Sequence, residues 1–148
     1  MDINLQGKNA LVCGASKGIG EAIAKELALL GASVTLMARN KEKLIQIKNG
    51  LPTSLQQDHQ VIEADFTIPQ HTIDLILKHG KDFHVLVNNT GGPAGGNILD
   101  AEIDSFENAY TMHVNMSHLL VQTLVPFMKT VQYGRIINVV STLSLIHI

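Results

Sequence analysis

Apolar positions along the chain follow two rhythms that alternate from end to end. Compact, nearly continuous apolar runs at 9–13, 33–38, 60–64, 83–88 and 135–140 read as β-strands. The cores Val85-Leu86-Val87 and Ile136-Ile137 show no polar alternation, as expected of parallel strands covered on both faces. Between the strands, apolar residues recur at helical spacing over 19–30, 41–51, 68–78 and 104–130, the first marked by Ile23, Ala24, Leu27, Ala28 and Leu30. Gly31 ends the first helix, Pro52 closes the second, and Pro69 suits the first turn of the third. The order βαβαβαβαβ predicts an α/β fold, a doubly wound parallel sheet with ligands at the carboxyl ends of its strands. With no repeat, low-complexity tract or linker, residues 1–142 are expected to form one domain.

Composition narrows the function classes. A chain of 148 residues, 45% hydrophobic and 16% charged with a net charge of −2, reads as a soluble globular protein. That balance argues against disorder and against a nucleic-acid-binding surface. No apolar run approaches membrane-spanning length, and Met1-Asp2-Ile3-Asn4 lacks the basic-then-apolar start of a signal peptide. The expectation is a cytoplasmic protein with no membrane partner. Cys13, the only cysteine, cannot form an internal disulfide; it is either a reactive thiol or, on the stronger reading, a small buried apolar residue. His59, His71, His79, His84 and His118 show no ligand spacing, so no metal site is expected.

The first candidate chemistry lies in Cys13-Gly14-Ala15-Ser16-Lys17-Gly18-Ile19-Gly20, between the first strand and the first helix. Glycines let a backbone turn tightly and approach a pyrophosphate, while a helix N-terminus offers free N–H groups and a positive dipole end. The spacing G-x-x-x-G-x-G resembles the cofactor loop of the short-chain dehydrogenase/reductase family, which usually has Thr where Cys13 stands. At the end of the second strand there is Arg39 and no acid for the 2′-hydroxyl of NAD. Arg39 and Lys17 together suit the extra 2′-phosphate of NADP(H). Further on, Ala64-Asp65-Phe66-Thr67 occupies the place where the family sets an acid against the adenine edge and an apolar neighbour beneath the ring. Read alone, Asp65 is equally a cap for the next helix. Asn88-Asn89-Thr90-Gly91 resembles the family's Asn-Asn-Ala-Gly, in which amides tie strands together and approach the ribose. The segment Tyr133 to Ser141 resembles the stretch that ends in the catalytic serine, whose hydroxyl bonds the substrate carbonyl oxygen. The resemblance runs from about Leu5 to Thr142. It implies a Rossmann-like sheet, truncated here after the fifth strand. The implied cofactor-binding residues are Gly14, Ser16, Lys17, Gly18, Ile19, Gly20, Arg39, Asp65, Phe66, Asn89, Thr90 and Gly91, and the implied substrate is a small carbonyl or alcohol.

Two departures qualify what the resemblance implies. The family's relay asparagine lies seven residues after an aromatic and thirteen before a proline, and both Phe106 and Pro126 place that position at His113. Asn115 is two positions away, on a different side of the helix. His113 either takes over the relay or is a hydrogen-bonded helix histidine. The family's general-acid Tyr and its partner Lys would lie beyond the last residue, and neither Tyr110 nor Tyr133, which precede Ser141, can be carried over to that role. Asn-Asn-Thr-Gly-Gly-Pro with a relay-position His is similar to a divergent branch of 3-oxoacyl-ACP-reductase-like members, some of which lack the Tyr-Lys pair. Residues 143–148, Leu-Ser-Leu-Ile-His-Ile, also translate a transposon-end adapter used in sequencing libraries, so they are expected to be an artefact. Without the family's remaining strands, Ile136, Ile137, Val139 and Val140 would form an uncovered edge, and 1–148 alone would be marginal or insoluble. The family usually forms dimers or tetramers through helices that include the long one from Phe106 to Val125. Two readings stand: the N-terminal part of an NADP(H)-dependent carbonyl–alcohol oxidoreductase, or a nucleotide-binding module that senses or scaffolds without turnover.

Overall fold

In a computed structural model, residues 3–80, 82–92, 98–100 and 102–140 are described. Five strands form one parallel sheet: β1 (Asn9–Cys13), β2 (Ser33–Ala38), β3 (Gln60–Glu63), β4 (Val85–Asn88) and β5 (Arg135–Asn138), in the order β3-β2-β1-β4-β5. Helices α1 (Gly18–Leu29), α2 (Lys41–Asn49) and α3 (Pro69–His79) connect the first four strands. The last crossover is a long helix in three parts: α4 (Ile103–Tyr110), a π-turn (Thr111–Asn115) and α5 (Met116–Thr130). The expected doubly wound α/β fold is therefore present. The uninterrupted long helix is not, because the π-turn inserts one extra residue between two helical registers.

Alternation along each strand divides the core in two. Ala10, Val12, Val34, Leu36, Val85 and Val87 face α1 and α2 through Ala24, Ala28, Leu44 and Ile47. Leu11, Cys13, Met37 and Leu86 face α3 and α5 through Ile73, Ile76, Leu120 and Leu124. Leu11, Leu36, Leu86 and Leu124 are completely buried, and truncating any one to Ala costs about 2–5 kcal/mol.

Local signals explain the helix ends. Gly31 takes φ +98°, and Gly31 N–H and Ala32 N–H donate to Ala28 and Leu27 carbonyls (3.0 Å each), a left-handed close to α1 that favours glycine. Asn40 caps α2 by accepting from Lys43 N–H at 2.9 Å, and Pro69 opens α3. The exposed edge expected at the fifth strand is seen at Ile136, Ile137 and Val140, which is 83% exposed, whereas Val139 packs against the α1/α2 face of the core. Among the described residues no helix is long and apolar enough to cross a membrane.

Candidate functional site

β2 and β3 lie on one side of β1, β4 and β5 on the other, so the chain reverses direction across the sheet between β1 and β4. The crevice beyond the carboxyl ends of those two strands is where such a sheet holds ligands. The glycine run leaves β1 there. Gly14 turns at φ +61° and Gly18 at φ +58°. A Cβ on Gly14 would come within 2.5 Å of the Asn89 carbonyl oxygen, and one on Gly20 would overlap the Gly14 carbonyl oxygen. On Gly18 it would meet nothing within 4 Å, so that glycine is required by its backbone conformation and faces open space. The loop is thus closed behind and open in front. Lys17 is the N-cap of α1 and no side chain caps it, which leaves the first-turn N–H groups without intrahelical acceptors. Beside them Ile19 holds a large apolar side chain 60% exposed.

Asn88 and Asn89 stitch three strand ends together. Asn89 Nδ2 donates to the carbonyls of Cys13 (3.2 Å) and Gly14 (3.4 Å), bracing β1 against β4. Asn88 Nδ2 donates to Asn138 Oδ1 at 2.8 Å, reaching β5. Cys13 faces the core, and burial pushes its thiol up to about 12 while a backbone hydrogen bond from Asn89 pulls it down. A thiol so raised is not a nucleophile, and the buried-apolar reading holds.

Arg39 follows the end of β2, and Lys17 lies four residues past the end of β1, which pairs with β2 through Cys13 and Met37. Both cations are exposed, and among the described residues neither forms an ion pair. Asp65 follows β3. Thr67 N–H donates to its Oδ1 at 3.0 Å and holds its carboxyl below the usual range; burial opposes this, while the Thr67 hydroxyl (2.9 Å) and Arg39's charge assist. The cap of α3 is Ile68, so Asp65 closes a local turn rather than capping that helix. Phe66 is only 7% exposed and packs in the α3/α5 core. An open groove of about 890 Å³ runs from Arg39 and Asp65 along β3 to Leu75 and His79.

The π-turn carries His113 to the end of β4. Its Nδ1 lies 2.7 Å and its Nε2 3.4 Å from Thr90 Oγ1, and both residues are half-buried. Asn115 is exposed. Sequence reading singled out His113 and Thr90 separately and missed their contact; the available signal was that the resemblance breaks at both positions. Gly91 is exposed at the mouth, and Ser141, Pro93 to Gly96 and residues 143–148 lie outside the described residues. Among the described residues no group of three or more His, Cys, Asp or Glu could hold a metal ion.

Comparison with known proteins agrees with this geometry. The short chain dehydrogenase family pattern matches residues 8–148. An uncharacterised oxidoreductase of Staphylococcus epidermidis is 31% identical over 137 residues, spanning 90% of this chain and 58% of its own. The 3-ketodihydrosphingosine reductase of Mus musculus is 31% identical over 144 residues, spanning 93% and 43%. The crystal structure of L-sorbose reductase from Gluconobacter frateurii, complexed with NADPH and L-sorbose, superposes with a TM-score of 0.89 at 28% identity, covering 100% of this chain and 57% of that one. The chain thus spans about half the length of these relatives, from 43% to 58%. By sequence pattern, fold and the glycine turn at the β1/β4 crevice, the chain belongs to the short-chain dehydrogenase family of oxidoreductases.

Proposed function

We propose that this chain is the N-terminal, cofactor-binding part of an NADP(H)-dependent oxidoreductase that interconverts a carbonyl and an alcohol by hydride transfer. The observation that carries this reading is the glycine cradle, closed behind by Asn89 and open in front at the uncapped start of α1. Backbone N–H groups of Ser16, Gly18, Ile19 and Gly20 would hold the pyrophosphate, with Ile19 covering it. Lys17 and Arg39 would pair with the 2′-phosphate, since no carboxylate follows β2 to favour a bare 2′-hydroxyl. The ionised Asp65 would accept from the adenine amino group. Phe66 would contribute through the turn it anchors, and Asn89, Thr90 and Gly91 would border the ribose. When bound, the nicotinamide supplies or takes the hydride. Ser141 would hydrogen-bond the carbonyl oxygen, and His113 would hold and pass a proton near it. The NADPH complex of L-sorbose reductase and the reductase activity in the mouse relative's name support this choice.

Fluorescence titration of the full-length protein tests the cofactor. NADPH should bind at least about tenfold tighter than NADH, and Arg39→Asp should erase the difference. Equal affinities in the unmodified protein would refute NADP(H) preference. A second reading, cofactor binding without turnover, is favoured by His113 at the relay position; NADPH oxidation against a carbonyl panel separates the two. The remaining proposals are residues 1–142 as one domain, an adapter-derived 143–148, a cytoplasmic location, and a homodimer or homotetramer. Resequencing the locus tests the tail: a stop codon directly after Ile148 in clean genomic DNA would sink the adapter origin.

A further inference from the structure

Positive charge gathers around the start of α2, where helix electrostatics disfavour it. Arg39, Lys41 and Lys43 fall within the segment 39–43, while a helix N-terminus carries a positive dipole end that favours acids. Glu42 is the one acid in that turn. Two of the three cations have partners. Lys43 Nζ donates to Gln46 Oε1 at 3.1 Å, and its charge, after that of Lys25 at 2.6 Å, helps to hold Glu21 ionised. Arg39's charge acts on Asp65, whose carboxyl is turned onto Thr67. Lys41 is different. It is the first residue of α2 and exposed, and among the described residues its ammonium has neither a hydrogen bond nor an ion pair. Yet it lines the same open groove as Arg39 and Asp65. Glu63, the other acid of that groove, is exposed at the end of β3 and pairs with none of these cations. A cation held at a helix start without a counter-charge costs stability, and an anion from outside the chain recovers it.

We infer that Lys41 is a specificity-determining residue whose ammonium joins Arg39 in pairing with the 2′-phosphate of NADP(H) at the head of the groove. This rests on the proposed NADP(H) site. The two side chains suit different parts of one phosphate. The planar guanidinium of Arg39 offers two parallel N–H donors to two oxygens, and a flexible ammonium can reach the remaining oxygen from another side. A bare 2′-hydroxyl carries no charge to answer Lys41. The residue therefore acts on NADPH and leaves NADH untouched, at the expense of a less stable helix start.

The test is a fluorescence titration of the full-length protein and its Lys41 variants with NADPH and with NADH. Lys41→Gln should weaken NADPH about tenfold and change NADH by less than about twofold. Lys41→Arg, which keeps the charge, should stay within about threefold of the unmodified protein for NADPH. Lys78→Gln is the control, because Lys78 lines the far end of the same groove and changes the net charge equally. It should leave NADPH affinity unaltered. Melting without cofactor supplies a readout that a merely structural lysine would move the other way: Lys41→Gln should melt no lower than the unmodified protein, while the rise that NADPH produces should shrink. NADPH affinity kept within about twofold in Lys41→Gln would overturn the inference alone, as would an equal loss in Lys78→Gln, which would make the effect one of overall charge. Equal affinities of the unmodified protein for NADPH and NADH would overturn the NADP(H) reading and the role of Lys41 with it.

Discussion

The glycine cradle and the π-turned stretch of the long helix both meet the end of β4, yet they are built by opposite means. In the cradle, backbone fits against backbone: Gly14 and Gly20 leave no space for a methyl group, and Asn89 spans two carbonyls behind them. In the long helix, α4 and the π-turn contain no buried residue, and the decisive contact is one half-buried side-chain pair, Thr90 and His113. A site held by backbone geometry tolerates few substitutions, whereas a site held by side chains can exchange partners in matched sets. The departures from the family pattern follow that division. The cradle retains all three glycines, and its one change, Cys13, is turned into the core. Thr90 and His113, the two positions at which the sequence resemblance breaks, meet on the other side.

Breaking the cradle should have the largest effect. Gly20→Ala places a methyl group against the Gly14 carbonyl, which cannot yield, and is expected to cost about 3 kcal/mol. Thermal melting of the full-length protein would show that loss, and NADPH titration should show binding weakened at least about a hundredfold. Asn89→Ala removes the amide that braces β1 against β4 and should cost about 1–2 kcal/mol, with NADPH affinity falling alongside. Gly18→Ala sharpens the comparison, because it has open space and only an unfavourable φ. It should cost about 1 kcal/mol in a melt and weaken NADPH less than Gly20→Ala does.

Much of this was legible in the sequence, for reasons that differ by region. β1 and β2 begin and end where the apolar runs do, because central parallel strands are buried on both faces and are mostly apolar, Thr35 being the one buried polar residue within them. The cradle was legible because glycine spacing records a backbone path directly. The π-turn was not. Ile103, Phe106 and Tyr110 continue the apolar helical rhythm into α5, but in the fold they are exposed, while Met116, Leu120, Leu124 and Met128 bury a face in a different register. Periodicity cannot reveal an inserted residue when both halves are amphipathic. The Thr90–His113 contact was hidden for a related reason, since it depends on the helix phase that the π-turn sets. The role of Asp65 was only half legible: its carboxylate closes a turn on Thr67 rather than capping α3.

The smallest expected effects concern acid. His84 accepts from Asn9 N–H through Nδ1 at 3.1 Å and packs edge-on against Phe127 and Tyr133. Burial first, and then Lys8's charge, lowers its pKa from 6.5. Above that value both the folded and unfolded forms are neutral, and His84 adds no pH dependence. As pH falls below it the unfolded chain takes the proton first, so stability drops until the folded value is passed. His84→Gln should flatten melting temperature against pH in that window. Asp65 acts at lower pH: its depressed pKa stabilises the fold above about 3.8, and that contribution disappears as acid protonates the folded form. Asp65→Asn should remove that acid-side decline in the same melts.

The NADP(H) site proposed at the carboxyl ends of β1, β2 and β4 takes its shape from backbone packing. The most direct measurement is a paired fluorescence titration of NADPH and NADH against the full-length protein and its Gly20→Ala variant, with folding checked by circular dichroism. NADPH should bind at least about tenfold tighter than NADH to the unmodified protein, and at least about a hundredfold more weakly to folded Gly20→Ala. Undiminished NADPH affinity in a folded Gly20→Ala variant, or tighter binding of NADH by the unmodified protein, would contradict it.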